Sequence, residues 1–105
     1  MAPSASFRQL LIFGKEQHQA LVQKQLQLLH KFSGDVKERD LKVRVIKKNH
    51  LLYRKYKVDG DQFTVILIGK DETEKHRVTR ILEMQELFAI IDAMPMRKAE
   101  RSKKN

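Results

Sequence analysis

Apolar positions along this chain change period several times, and each change marks an element. Residues 7 to 14, Phe-Arg-Gln-Leu-Leu-Ile-Phe-Gly, form a short apolar run closed by Gly14. Such a run predicts a strand buried on both faces, hence a central one. From Glu16 to Phe32 the period lengthens: Leu21, Val22, Leu26, Leu28, Leu29 and Phe32 recur at spacings of three and four, and Ser33-Gly34-Asp35 stops the pattern. That is a first helix. At 41 to 46, Leu41, Val43 and Val45 alternate with Lys42, Arg44 and Ile46, which predicts an edge strand with one packed and one basic, exposed face. Asn49 is placed to cap a short helix carrying Leu51, Leu52, Tyr53 and Tyr56, ended at Asp59-Gly60-Asp61.

Phe63 to Gly69 is the strongest strand, rich in β-branched residues. A polar loop leads to Lys75–Leu82, expected to be an edge strand hairpinned to it. Met84, Leu87, Phe88, Ile91 and Met94 then share one helical arc that Pro95 ends, and the basic tail 98 to 105 is expected to fray. The resulting order, β-α-β-α-β-β-α, is an α/β arrangement similar to the minimal thioredoxin-like fold: a four-stranded mixed sheet in the order second, first, third, fourth strand, flanked by helices.

The length of 105 residues suits a single domain over 1 to 105, with a core of about 7 to 97. With 0 Cys there is no thiolate for disulfide exchange, peroxide reduction or a zinc–thiolate site. The apolar stretches Leu10 to Phe13 and Val65 to Ile68 are far shorter than a spanning helix or a signal-peptide core.

The net charge of +9 is unevenly spread. Residues 42 to 57 hold seven basic residues and no acidic one, 58 to 96 carry a net −4, and 97 to 105 a net +4. Segregation of this kind attracts polyanions without choosing among nucleic acid, sulfated glycan and anionic membrane. The candidate surface is Lys42, Arg44, Lys47, Lys48, Arg54, Lys55 and Lys57.

Phe63 to Asp71, Lys75-x-Arg77, and Glu86-Leu-Phe-Ala-Ile-Ile-Asp-Ala-Met-Pro-Met-Arg97 with Glu100 carry a family likeness, supported by Arg8 to Phe13, Gln25-Leu26 and Glu38-Arg39-Asp40-Leu41. Over residues 7 to 100 the chain resembles the P-DUDES domain family, a domain of unknown function in bacterial exported proteins and in animal sushi-repeat-containing and matrix proteins. The resemblance implies a thioredoxin-like fold related to peroxiredoxins and an extracytoplasmic, secreted or periplasmic, setting. Its signature is Asp92, Met94, Pro95, Met96 and Arg97. Where thioredoxins carry C-x-x-C this chain has Lys15-Glu-Gln-His-Gln19, and where they carry a cis-proline it has Asp61-Gln62.

No catalytic residue is assigned. His18 with Glu16 lies where that fold has its active site, and a thiol-independent enzyme there is the alternative function. His30, His50 and His76 lack zinc-site spacing, so neither metal nor cofactor is expected. Gly69-Lys70-Asp71 follows a strand and lacks the rest of a phosphate loop, so it reads as a turn. Asp92, a carboxylate at the negative end of a helix, needs a cationic partner, either Arg97 or a basic residue of a neighbouring loop. The preferred reading is a non-catalytic interaction domain for acidic glycans or acidic protein surfaces. A nucleic-acid binder ranks behind it, because no zinc finger, RNP sequence or KH loop accompanies the two tyrosines.

Overall fold

The computed structural model describes residues 5–48 and 50–102. Its single sheet holds β1 (Arg8–Phe13), β2 (Leu41–Ile46), β3 (Thr64–Ile68) and β4 (Glu74–Val78) in the order β2-β1-β3-β4. β2 runs parallel to β1, in register from Arg8↔Leu41 to Phe13↔Ile46. β3 lies antiparallel to β1, and β4 antiparallel to β3 with an irregularity at Leu67/Ile68. The mixed sheet and its strand order agree with the expectation from sequence.

The two faces of the sheet are covered unequally. Leu10, Ile12, Val65 and Leu67 pack against α1 (Gln19–Lys31) and α4 (Met84–Asp92) through Val22, Leu29, Leu87 and Ile91. On the opposite face Leu11, Phe13, Ile46, Ile66 and Ile68 meet, among the described hydrophobic residues, Leu52, Tyr53, Tyr56 and Val58, from α3 (Leu51–Lys55) and its exit. A five-residue helix cannot roof a four-stranded sheet. The rest of that face, including Lys42 and Arg44, stays exposed.

Several boundaries differ from the expectation. α1 ends at Lys31, next to the expected stop, but Ser33-Gly34-Asp35 is not a loop: it begins α2 (Ser33–Glu38), which buries Val36. Short polar residues serve helix starts as well as helix ends. The first helix opens with a 3-10 turn, Glu16–His18, ahead of α1. The cap of α3 is His50, whose Nδ1 accepts from the Leu52 amide at 3.1 Å; Asn49, expected to do this, lies outside the described residues. β4 ends at Val78 rather than running to Leu82.

The largest correction is at the C-terminus. Pro95 does not merely end a helix; it begins α5 (Pro95–Ser102), so the expected frayed basic tail is helical through Ser102, and only residues 103 to 105 lie outside the described residues. Proline is favoured in a first helical turn, where its missing N–H forfeits no bond. Arg97 and Glu100 on α5 are needed for ion pairs with the body, which holds the helix in place.

Gly14 is where glycine is required. A Cβ there would lie 2.7 Å from Val22 Cγ2 and 3.2 Å from His18 Cβ, because the exit of β1 passes directly against the start of α1.

Candidate functional site

The signature residues gather at the sheet end where β1 and β2 begin and β3 finishes. Asp92, at the end of α4, accepts from Arg39 Nε at 3.0 Å and Nη2 at 2.9 Å, a forked pair, and from Arg97 Nε at 3.2 Å. The cation that a carboxylate at this helix end needs is therefore supplied twice, by Arg97 and by Arg39 from the α2–β2 connection. Arg97 is 1% exposed and also reaches the Glu38 carboxylate at 3.1 Å. Arg8, 0% exposed at the first position of β1, holds Glu100 through two nitrogens at 3.2 and 3.1 Å and donates to the Arg39 carbonyl at 2.8 Å. Lys70 bridges Asp40 and Glu100, each at 2.8 Å. The Arg39 guanidinium lies 4.2 Å from the centroid of the Phe88 ring.

Arg8, Arg39, Lys70 and Arg97 here face Asp92, Glu38, Glu100 and Asp40, and Arg39 also lies 3.7 Å from the Asp35 carboxylate. Hydrogen bonds from Arg39, with Arg97 adding to them, pull the Asp92 carboxyl below its ordinary range although partial burial opposes it. Burial also opposes ionisation of Glu100, but the bonds from Arg8 and Lys70 prevail and its pKa falls as well. A cluster in which each of these cations is held by at least one carboxylate positions chain segments, although the buried Arg8 Nε has no hydrogen-bond partner among the described residues. Ala93 and Met94 turn the chain between α4 and α5, and the first turn of α5, from Pro95, brings Arg97 back to Asp92. Sequence reasoning found Asp92 and Arg97 but missed Arg8, Lys70 and Gln25 as structural centres. Arg8 was legible as a charge opening a doubly buried strand. Gln25, fully buried, pairs with the Leu82 backbone by donating to its carbonyl at 3.1 Å and accepting from its amide at 2.8 Å.

At the other end of β1, His18 is committed to structure. Its Nδ1 accepts from the Lys15 amide at 3.1 Å, which leaves the proton on Nε2 to be donated to the Asp61 carbonyl at 3.3 Å. The Gly69-Lys70-Asp71 segment is a turn: the Glu72 amide donates to the Gly69 carbonyl at 2.9 Å, and Asp71 accepts from the Thr73 amide at 3.1 Å. Among the described residues no group of three His, Cys, Asp or Glu is placed to hold a metal ion.

The seven basic residues singled out from sequence are all exposed. Gln9, Leu11 and Phe13 are in register with Lys42, Arg44 and Ile46, so Lys42 and Arg44 stand on the sheet face that carries α3, and α3 and its exit supply Arg54, Lys55 and Lys57. Lys47 and Lys48 lie in the connection between the two elements. Arg44 touches Gln9 at 3.3 Å and Lys42 lies 4.1 Å from the centroid of the Phe7 ring. Among the described residues none of the seven has a carboxylate within ion-pair distance, in contrast to Arg8, Arg39, Lys70 and Arg97. Tyr53 is not a stacking platform. Its ring packs edge-on against Phe13 at 5.0 Å and 84°, its hydroxyl is buried without a hydrogen-bond partner among the described residues, and burial raises its pKa. Tyr56 is half-buried in the same cluster.

The sheet order, the helices on both faces and the absence of cysteine define a thioredoxin-like α/β protein without the thiols of thioredoxin chemistry. The family model "Domain of unknown function (DUF4174)" matches residues 46–100, and the chain belongs to that family. Two solved structures share the fold. One, described as thioredoxin-2, a component of malaria parasite protein secretion machinery, aligns with a TM-score of 0.63 and 22% identity over 84% of each chain. The other, described as a malarial protein, aligns with a TM-score of 0.60 and 23% identity, over 82% of this chain and 94% of that one. No curated protein matches the sequence. No helix among the described residues is long and apolar enough to cross a membrane.

Proposed function

We propose that this chain is a non-catalytic thioredoxin-like binding domain that recognises polyanions, such as sulfated glycans, through the basic surface of Lys42, Arg44, Lys47, Lys48, Arg54, Lys55 and Lys57. The observation that carries this reading is the division of labour among the cations. Those at the start of β1 are consumed by carboxylates, whereas these seven stand exposed with no carboxylate at ion-pair distance among the described residues. Unneutralised positive charge draws in a polyanion and is screened by salt. The P-DUDES resemblance supports an extracytoplasmic setting, where sulfated glycans are available. Catalysis centred on His18 is disfavoured, because both ring nitrogens are engaged with backbone. Nucleic-acid stacking is disfavoured, because both tyrosines pack into the apolar cluster.

Retention on a heparin column tests the reading. Wild type should be held above about 0.15 M salt. Reversing Lys47 and Lys48 to Glu should lower the eluting salt strongly, and neutralising Lys103 and Lys104 should lower it less. Elution of wild type below that salt, or an inverted ranking of the two variants, would remove the proposal.

A further inference from the structure

We propose that the free edge of β2 accepts an extended acidic peptide as an added strand, with acidic side chains over Lys42 and Arg44 and apolar ones in the groove beside Leu41 and Val43. The inference rests on the polyanion reading of the basic surface and names one protein partner for it.

β2 is an outer strand bonded to β1 alone, and its register runs unbroken through six residue pairs. The opposite edge is less inviting: the pairing of β4 with β3 is irregular at Leu67/Ile68, and Arg77 of β4, paired with Glu74 of the same strand, donates to the Tyr56 carbonyl. A straight, uncovered edge presents unpaired backbone groups to another chain. On the face of β2 away from α3, a groove of about 430 Å³ opens between the strand and α1–α2, lined by Leu26, Leu29, Val36, Leu41 and Val43. Val45, 46% exposed, extends the apolar strip along the strand. The groove has room for a leucine or aromatic side chain.

Charge selects the occupant. Directly opposed residues in an antiparallel pair share a face. Two copies of β2 paired about a twofold axis at the middle of the strand would therefore set Arg44 against Arg44, or Lys42 against Arg44 twice, and like charges directly opposite are destabilising. The edge thus disfavours its own copy in the registers that use the whole strand. A strand with acidic residues at every second position turns the same geometry into attraction, while its intervening residues fall over the groove. Side-chain alternation in a strand makes this a pattern requirement, acidic–apolar–acidic–apolar, that charge alone would not impose.

The test uses wild-type protein and three soluble peptides: Glu-Val-Glu-Leu-Glu flanked by polar residues, its block isomer with the three Glu adjacent, and the alternating peptide with both apolar residues N-methylated. The alternating peptide should bind about tenfold tighter than either control and should slow amide exchange within Leu41–Ile46. The Arg44→Glu variant, changed at an exposed position, should shift preference towards the Lys-Val-Lys-Leu-Lys counterpart. Equal binding of the three acidic peptides, or no binding of any of them while heparin is still retained, overturns strand addition and leaves the polyanion reading standing. Loss of both peptide and heparin binding overturns both.

Discussion

Replacing Asp92 with alanine removes the acceptor on which two arginines converge. Three charge-assisted hydrogen bonds disappear, two from Arg39 at 3.0 and 2.9 Å and one from Arg97 at 3.2 Å. Arg97 has a side chain only 2% exposed and Arg39 one 12% exposed, so neither regains much water in exchange. Stranding a buried charge costs about 3 to 5 kcal/mol. Here the loss is tempered, because Arg97 keeps Glu38, Arg39 keeps the Asp35 carbonyl and the Phe88 ring, and the Asp92 side chain is itself 27% exposed. The expected destabilisation is about 2 to 4 kcal/mol, seen as a fall of about 10 to 20 °C in Tm. Urea melts of wild type, Asp92→Ala, Arg39→Met and the double variant measure it, and the double variant should cost clearly less than the sum of the singles. A loss below about 0.5 kcal/mol for Asp92→Ala, or additivity across the cycle, would show that the carboxylate does not join α4, α5 and the α2–β2 connection.

Acid should undo the same cluster. Because the folded-state pKa values of Asp92 and Glu100 are lowered, their contribution is fully present above the ordinary carboxylate range and is lost as pH falls through the folded values; urea midpoints should be level from pH 7 to about 5 and drop below about 4. Glu100→Gln should flatten that drop, and an unchanged acid profile in the variant would contradict the assignment. Gly14→Ala should cost about 1 to 3 kcal/mol, since its Cβ would meet Val22 Cγ2 at 2.7 Å. Gly34→Ala, in α2 with nothing within 4 Å of the added Cβ, should instead gain a few tenths to about 1 kcal/mol; thermal melts of the two variants moving in the same direction would refute the packing account.

The strands were legible because their signals are local. The doubly apolar run at Leu10–Phe13 predicts a central strand, and the alternation at Leu41–Ile46 an edge, which together imply the order β2-β1-β3-β4. The ends of helices were not legible, because what decides them is remote. α5 reads in sequence as a basic tail and becomes a helix once Arg97 and Glu100 find Glu38 and Arg8, residues 59 and 92 positions away. Ser33-Gly34-Asp35 serves a stop and a start equally well until Val36 is seen to be buried. Of the candidate sites, the signature around Asp92 resolves into a structural tie whose partners are distant in sequence. The basic run was visible because it is contiguous, and the register of β2 on β1 sets its first two members on the face of α3.

Amide chemical-shift mapping during titration with a heparin-derived oligosaccharide, repeated at two salt concentrations, locates the polyanion surface residue by residue. Shifts should concentrate between Lys42 and Lys57, excluding the cluster around Asp92 and Glu100, and affinity should fall steeply with added salt. Shifts gathered on α5 or around His18, or an affinity indifferent to salt, would contradict the polyanion reading.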